Sequence, residues 1–117
     1  MTKTNTQADC LFCKIVAGDF DTEFIYEDEY VVAFDDLYPQ RPVHTLIVPR
    51  HHVENLEDNP SPELLAAVFG AVPKVAAAKG VADDGYRIVQ NNGAGGGQTV
   101  FHLHVHLLGG EPLTESF

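Results

Sequence analysis

"FHLHVHLL", residues 101–108, sets His102, His104 and His106 at every second position, with an apolar residue in each gap. Alternation at period two marks a half-buried strand, because residues i, i+2 and i+4 point to one face. Leu103, Val105 and Leu107 then belong to the core, and three imidazoles line the opposite face. At about 3.3 Å of rise per residue the outer two histidines stand roughly 13 Å apart along the backbone, too far for one metal ion to take all three. An adjacent pair stays within reach of one. A neutral imidazole, with an ordinary pKa near 6.5, attacks phosphorus without prior activation, and a neighbouring imidazole can serve the leaving group. His104, flanked by a histidine on each side, is the natural nucleophile of such a set.

The strand is preceded by "NNGAGGGQT", residues 91–99. No Lys-Ser/Thr pair follows the glycines, so this is not a Walker A loop. Glycine does permit positive φ and lets successive backbone N–H groups converge on an anion. Charge agrees with an anion nearby. The chain carries 17 acidic against 7 basic residues, a formal charge of −10, yet no Asp or Glu lies between Gly85 and Gly110. The average acid density would put about four there. The overall negative charge argues against nucleic acid and anionic membrane as partners.

At 117 residues, 44% of them hydrophobic, the chain is expected to form a single domain, 1–117, with a flexible start, 1–9, and a C-terminal tail, 111–117. Its small core would gain from association with a second copy. No apolar run reaches the roughly 18 residues of a membrane span, and the polar start "MTKTNTQAD" has no apolar segment behind it, so a soluble cytoplasmic protein is expected.

"FIYEDEYVVAFDD" reads as two short strands, Phe24–Tyr26 and Tyr30–Phe34, around an acidic turn at Asp28–Glu29. "HTLIVP" reads as a third strand, "YRIVQNN" as a fourth and "TVFHLHVHLL" as a fifth. Between them "SPELLAAVFGAVPKVAAAKG" reads as one long helix, capped by Ser61, entered at Pro62 and closed by Gly80. Leu65, Phe69, Val72 and Ala76 give it an apolar stripe. Pro73 removes a hydrogen bond and clashes one turn back, a cost of about 3 kcal/mol unless the helix bends, so a kink is expected near Phe69–Gly70. Strands, a helix and strands again make an α+β domain with an antiparallel sheet.

Cys10 and Cys13 form a C-x-x-C, and in a chain with no other cysteine this points to metal or redox use. Two thiolates need two further ligands for a closed tetrahedral zinc site, and "PRHH" offers His51 and His52. A thioredoxin-like role is disfavoured, because no strand of a βαβ unit precedes the pair.

"GGQTVFHLHVHLL" resembles the signature of the histidine triad (HIT) superfamily, and "AFDDLYPQRPVHTLIVPRHH" resembles its upstream block, in particular that of the Hint branch. With "FCKIVAGD", the similarity runs over roughly residues 10–110. The resemblance implies a HIT fold whose sheet is continuous across a homodimer. It implies hydrolysis at the α-phosphate of a purine nucleoside 5′-monophosphate derivative, as in a nucleoside phosphoramidase, with no organic cofactor. His104 would form a nucleotidyl-histidine intermediate, His106 would contact phosphate and leaving group, and His102 and His44 would support the site. Asn91, Gly97, Gln98 and Thr99 would meet phosphate and ribose, and Asp36 the ribose hydroxyls. Phe12, Ile15, Phe34 and Leu46 would enclose the base, unless they are ordinary core. By the same resemblance Cys10, Cys13, His52 and His102 would hold a structural zinc, with His51 as substitute for His52. Cleavage of dinucleoside polyphosphates, as in the Fhit branch, a nucleotide-binding module without turnover, and a metalloenzyme built on a His-x-His pair are the alternatives. Hint proteins commonly end in a tail containing Trp and Pro, whereas this chain has no Trp, so the family's leaving-group preference does not carry over.

Overall fold

The computed structural model describes residues 9–115; residues 1–8, most of the expected flexible start, and 116–117 at the end of the tail lie outside the described residues. Five antiparallel strands form one sheet in the order β1-β2-β3-β5-β4. They are β1 Tyr26–Glu27, β2 Val31–Asp35, β3 Val43–Pro49, β4 Arg87–Val89 and β5 Val105–Gly109. Three helices accompany them, α1 Leu11–Val16, α2 Pro62–Gly70 and α3 Val72–Ala78. The expected α+β architecture is present.

The hairpin turn between β1 and β2 is built by Asp28, whose Oδ1 accepts the backbone N–H groups of Tyr30 and Val31, both at 2.8 Å. Its other carboxylate oxygen accepts the Tyr26 hydroxyl at 2.8 Å. A short polar side chain that bonds its own backbone two and three residues on is a turn in itself.

The sheet has two apolar faces. Val31, Ala33, Ile47, Val105 and Leu107 pack under α2 and α3 against Val68, Val72, Val75 and Ala76. At roughly 1.5–3 kcal/mol for each fully buried aliphatic side chain, this layer supplies most of the fold's cohesion. Phe12, Val32, Phe34, Leu46 and Val48 make a smaller cluster on the other face, with Cys10 and Ile15 of the α1 segment packed against it. Register decides which face each functional side chain takes. Leu46 pairs with His106, so His106 stands beside the smaller cluster and Leu107 faces the larger one.

Two expectations need correction, and the expected helix kink is met within one residue. The long helix is two segments that meet at Ala71, one residue past the expected kink, which lets Pro73 sit in the first turn of α3 where no N–H is needed. Its buried stripe is Leu64, Val68, Ala71, Val72, Val75 and Ala76, while Phe69 faces solvent. Both rows share the spacing of four and three, and the helix is apolar almost all round, so spacing alone did not choose between them. The fifth strand begins at Val105, so His102 and His104 lie on the irregular approach to it. Leu103 there donates to the Val53 carbonyl at 2.7 Å, a contact with a loop in place of a neighbouring strand. At the other end the tail is met by Arg87, which donates to the Thr114 carbonyl beside edge strand β4.

Candidate functional site

The three alternating histidines serve two adjoining clusters. His102, fully buried, joins Cys10, Cys13 and His52. His104, 6% exposed, and His106, partly exposed, join His44 and Asp36.

In the first cluster Cys10 Sγ lies 3.3 Å from His102 Nδ1, Cys13 Sγ lies 3.3 Å from His52 Nδ1 and 3.5 Å from His102 Nδ1, and the two Nδ1 atoms are 3.2 Å apart. A tetrahedral ion with bonds of about 2.3 Å to sulfur and about 2.05 Å to nitrogen would space two nitrogens about 3.4 Å, a sulfur and a nitrogen about 3.6 Å, and two sulfurs about 3.8 Å apart. The donor set therefore matches a zinc-sized cavity with little movement. Protons agree. The Nε2–H of His102 donates to the Pro49 carbonyl at 2.7 Å, leaving the lone pair on Nδ1. Burial pushes the pKa of His102 down to about 4, the backbone bond to Pro49 opposing it, which keeps the ring neutral as a ligand must be. His52 Nε2 is buried without a hydrogen-bond partner among the described residues, and the ring packs edge-on against that of His102 at 4.9 Å. Of the two histidines of "PRHH", His52 is the one in the cluster. These four residues are positioned to hold a metal ion.

In the second cluster the Gln40 backbone N–H donates to His44 Nδ1 at 3.0 Å, so the ring proton of His44 sits on Nε2. That Nε2–H reaches His106 Nδ1 at 2.9 Å and lies 3.5 Å from Asp36 Oδ2. His106 must then carry its own proton on Nε2. His104 donates from Nδ1 to the His102 carbonyl at 2.7 Å, which leaves its lone pair on Nε2. Burial lowers the pKa of His104, and it lowers that of His106 to about 4 with the neighbouring His104 and His44 adding to the effect. The result is a nucleophilic nitrogen next to a neutral donor, with ring centroids 4.9 Å apart. Asp35, one residue earlier, faces away, where it accepts the Thr45 hydroxyl and pairs with Lys79, the C-cap of α3.

The remaining expected site residues divide. Phe12, Phe34 and Leu46 are buried in the smaller core, and the Phe12 ring meets His104 edge-on at 4.9 Å and Phe34 at 5.7 Å. Ile15 is half-buried at the border of that cluster. Thr99 is exposed, and Asn91 is half-buried with its amide against Gly97, where φ is +90° and an added Cβ would stand 3.7 Å from Asn91 Nδ2. Gln98 is buried and fully engaged within the loop. Its Nε2 donates to the carbonyls of Glu54 and Val100, and its Oε1 accepts from Asn55 Nδ2 and the Gly93 amide, so its side-chain capacity is spent on bracing the loop. The glycine loop is similarly self-bonded, since the amides of Gly96, Gly97 and Gln98 all donate to loop carbonyls. Sequence reading missed the Gln40 amide and the Pro49 carbonyl, both backbone groups that any residue type presents. It also gave Asp36 to the ribose without seeing that its carboxylate lies beside His44.

The HIT domain family model matches residues 17–113. The chain is 49% identical over 105 residues to a HIT-like protein of Chlamydia pneumoniae, covering 88% of this chain and 94% of that one. It is 38% identical over 105 residues to the purine nucleoside phosphoramidase of Escherichia coli, covering 88% of each. Among solved structures, a HIT family hydrolase of Clostridium thermocellum superposes with a TM-score of 0.89 at 41% identity, over 95% of this chain and 98% of that one. With the triad, its upstream block and the sheet that joins them all in place, the chain belongs to the HIT family.

Proposed function

We propose that this protein is a nucleotide hydrolase of the purine nucleoside phosphoramidase type, working through a covalent intermediate on His104. The observation that carries the reading is the 2.7 Å bond from His104 Nδ1 to the His102 carbonyl, which aims an unprotonated Nε2 away from the backbone. The Nε2 lone pair attacks the α-phosphorus, the bond from phosphorus to the leaving nitrogen breaks, and that nitrogen takes up a proton from solvent. His106 donates its Nε2–H to a phosphoryl oxygen, held in that tautomer by His44. Water then attacks phosphorus, releases the nucleoside monophosphate and returns the lone pair to Nε2. The base would rest against Phe12, Ile15, Phe34 and Leu46, and Asp36 would turn from His44 to the ribose.

Zinc held by Cys10, Cys13, His52 and His102 belongs to the same proposal, supplying a structural cross-link between the α1 segment and the approach to β5. So does a homodimer joined through β4, an edge strand with Ile88 40% exposed. A cytoplasmic setting would keep both thiols reduced. Among the described residues no helix is long and apolar enough to cross a membrane.

The test is a single-turnover quench with radiolabelled adenosine 5′-phosphoramidate. The expected result is label on protein in an acid-labile, base-stable form, released as AMP and missing in His104→Ala. AMP without an adduct would overturn the covalent step, and nucleotide binding without AMP would leave a binding module.

A further inference from the structure

The two clusters are not independent, because residues 10–13 touch both. Cys10 caps α1, its Sγ accepting the Cys13 N–H at 3.3 Å, so the two sulfurs sit over one turn, within 4.8 Å of each other. Cys10 is partly exposed and Cys13 is 3% exposed. Phe12, between them, rests on the ring of His104 at 4.9 Å and that of His102 at 6.0 Å. His102 adds a second link, since its ring faces the sulfurs while its carbonyl holds His104 Nδ1.

From this juxtaposition we propose that the Cys10–Cys13 pair is an oxidation-sensitive latch: a peroxide converts the two thiolates to a disulfide, the metal ion leaves, and the seat of His104 loosens. The inference rests on the metal reading of the cluster. Chemically, the more exposed Cys10 thiolate attacks one peroxide oxygen; the O–O bond breaks, hydroxide leaves, and Cys10 becomes a sulfenic acid. The Cys13 thiolate then attacks that sulfur, the S–S bond forms, the S–O bond breaks, and a second hydroxide leaves. Two protons from solvent complete two waters. The sulfur pair has lost two electrons and the peroxide has gained them. A disulfide sulfur lacks the thiolate charge that holds the ion, so two of four ligands are lost together. His52 and His102 are then left facing each other at 3.2 Å with no cation between them. Phe12 moves with its neighbours, and the packing that orients the His104 ring goes with it.

The experiment uses the wild-type protein loaded with zinc and treated with hydrogen peroxide beside a chromogenic zinc chelator. Zinc release, alkylation and mass of the cysteines, the ring resonances of His104 and kcat/KM are followed together. The expected course is zinc release in step with the loss of two hydrogen masses, a shift of the His104 resonances, and a fall of roughly tenfold in kcat/KM, the usual scale for disturbing a supporting shell. Thiol reductant plus zinc restores all four. Thiols that stay alkylatable with zinc still bound would overturn the latch. A disulfide and zinc release with unmoved His104 resonances and an unchanged rate would overturn the coupling. Failure of the underlying reading looks different: protein with both cysteines reduced that takes up no zinc refutes the metal site itself. A protein with no turnover refutes the proposed activity, while metal, mass and resonances still decide the latch.

Discussion

Cys10, Cys13, His52 and His102 on one side, and Asp36, His44 and His106 on the other, are both sets of ligand atoms within 4.8 Å of one another, and by distance alone each resembles a metal site. Their protons separate them. In the first, the Nε2–H of His102 is committed outward to the Pro49 carbonyl, and its Nδ1 lone pair faces inward to the sulfurs. In the second, the Gln40 amide occupies His44 Nδ1 and forces the proton onto Nε2, toward the very point where an ion would sit. Putting the lone pair on Nε2 would set the Nδ1 proton against the Gln40 N–H, two donors 3.0 Å apart. A backbone amide thus turns one arrangement of histidines into a proton-donating chain, and a backbone carbonyl turns the other into a ligand set.

The hardest test of that division is His104→Ala. Loss of the nucleophile should lower kcat/KM by about 10³-fold or more while metal content stays unchanged and nucleotide affinity moves by less than about tenfold. Steady-state kinetics, metal analysis and calorimetric binding measure the three quantities. If metal left with this substitution, the clusters would be one unit. His44→Ala comes next, with kcat expected to fall roughly 10- to 100-fold, because His106 would lose the partner that fixes its tautomer. Metal content should again hold. A rise in KM alone, with kcat unchanged, would show that His44 acts on binding rather than on His106.

Cys13→Ala sharpens the contrast from the other side. Metal should be lost and Tm should drop by roughly 10 °C, since a structural zinc contributes folding energy directly. The rate of the chemical step should fall by no more than about tenfold, through Phe12 and the His102 carbonyl. Unchanged metal content by atomic emission would remove zinc from these residues. A rate loss as large as that of His104→Ala would mean that the metal cluster takes part in the chemistry itself.

How far the sequence disclosed this arrangement follows from which groups do the work. His102, His104 and His106 announce themselves by alternation, and the C-x-x-C by its spacing, because side-chain identity carries those signals. The strand at "HTLIVP" was equally legible, whereas the register that sets His44 and Leu46 on the face of His106 emerged only from the structure. What escaped depends on backbone or on three-dimensional packing. Nothing in "YPQRP" shows that the Gln40 amide meets His44, and nothing in "GGQTV" shows that Gln98 is saturated by four partners. The choice between Phe69 and Val68 for the buried stripe fell to the break at Ala71, which spacing placed only to within a residue.

The smallest expected effect is one of pH, and it isolates the donor cluster. His106 is held to about 4 by burial first, then by the positive charge that His104 and His44 would bring, with Asp36 pulling the other way. In the unfolded chain its value returns to about 6.5. A depressed folded pKa means that, as pH falls below 6.5, the unfolded state takes up a proton that the folded state refuses. This group's contribution to stability is therefore intact above 6.5, declines from there, and is fully lost below about 4. Within the folded protein the ring stays neutral over most of that window, so its Nε2–H donor should persist between pH 7 and pH 5. An imidazole NMR titration assigns the midpoint to His106 itself, separately from any acid release of metal. A midpoint near 6.5 would show that the ring is hydrated and free of His44, and the chain from the Gln40 amide to His106 would then end one residue short of the phosphate.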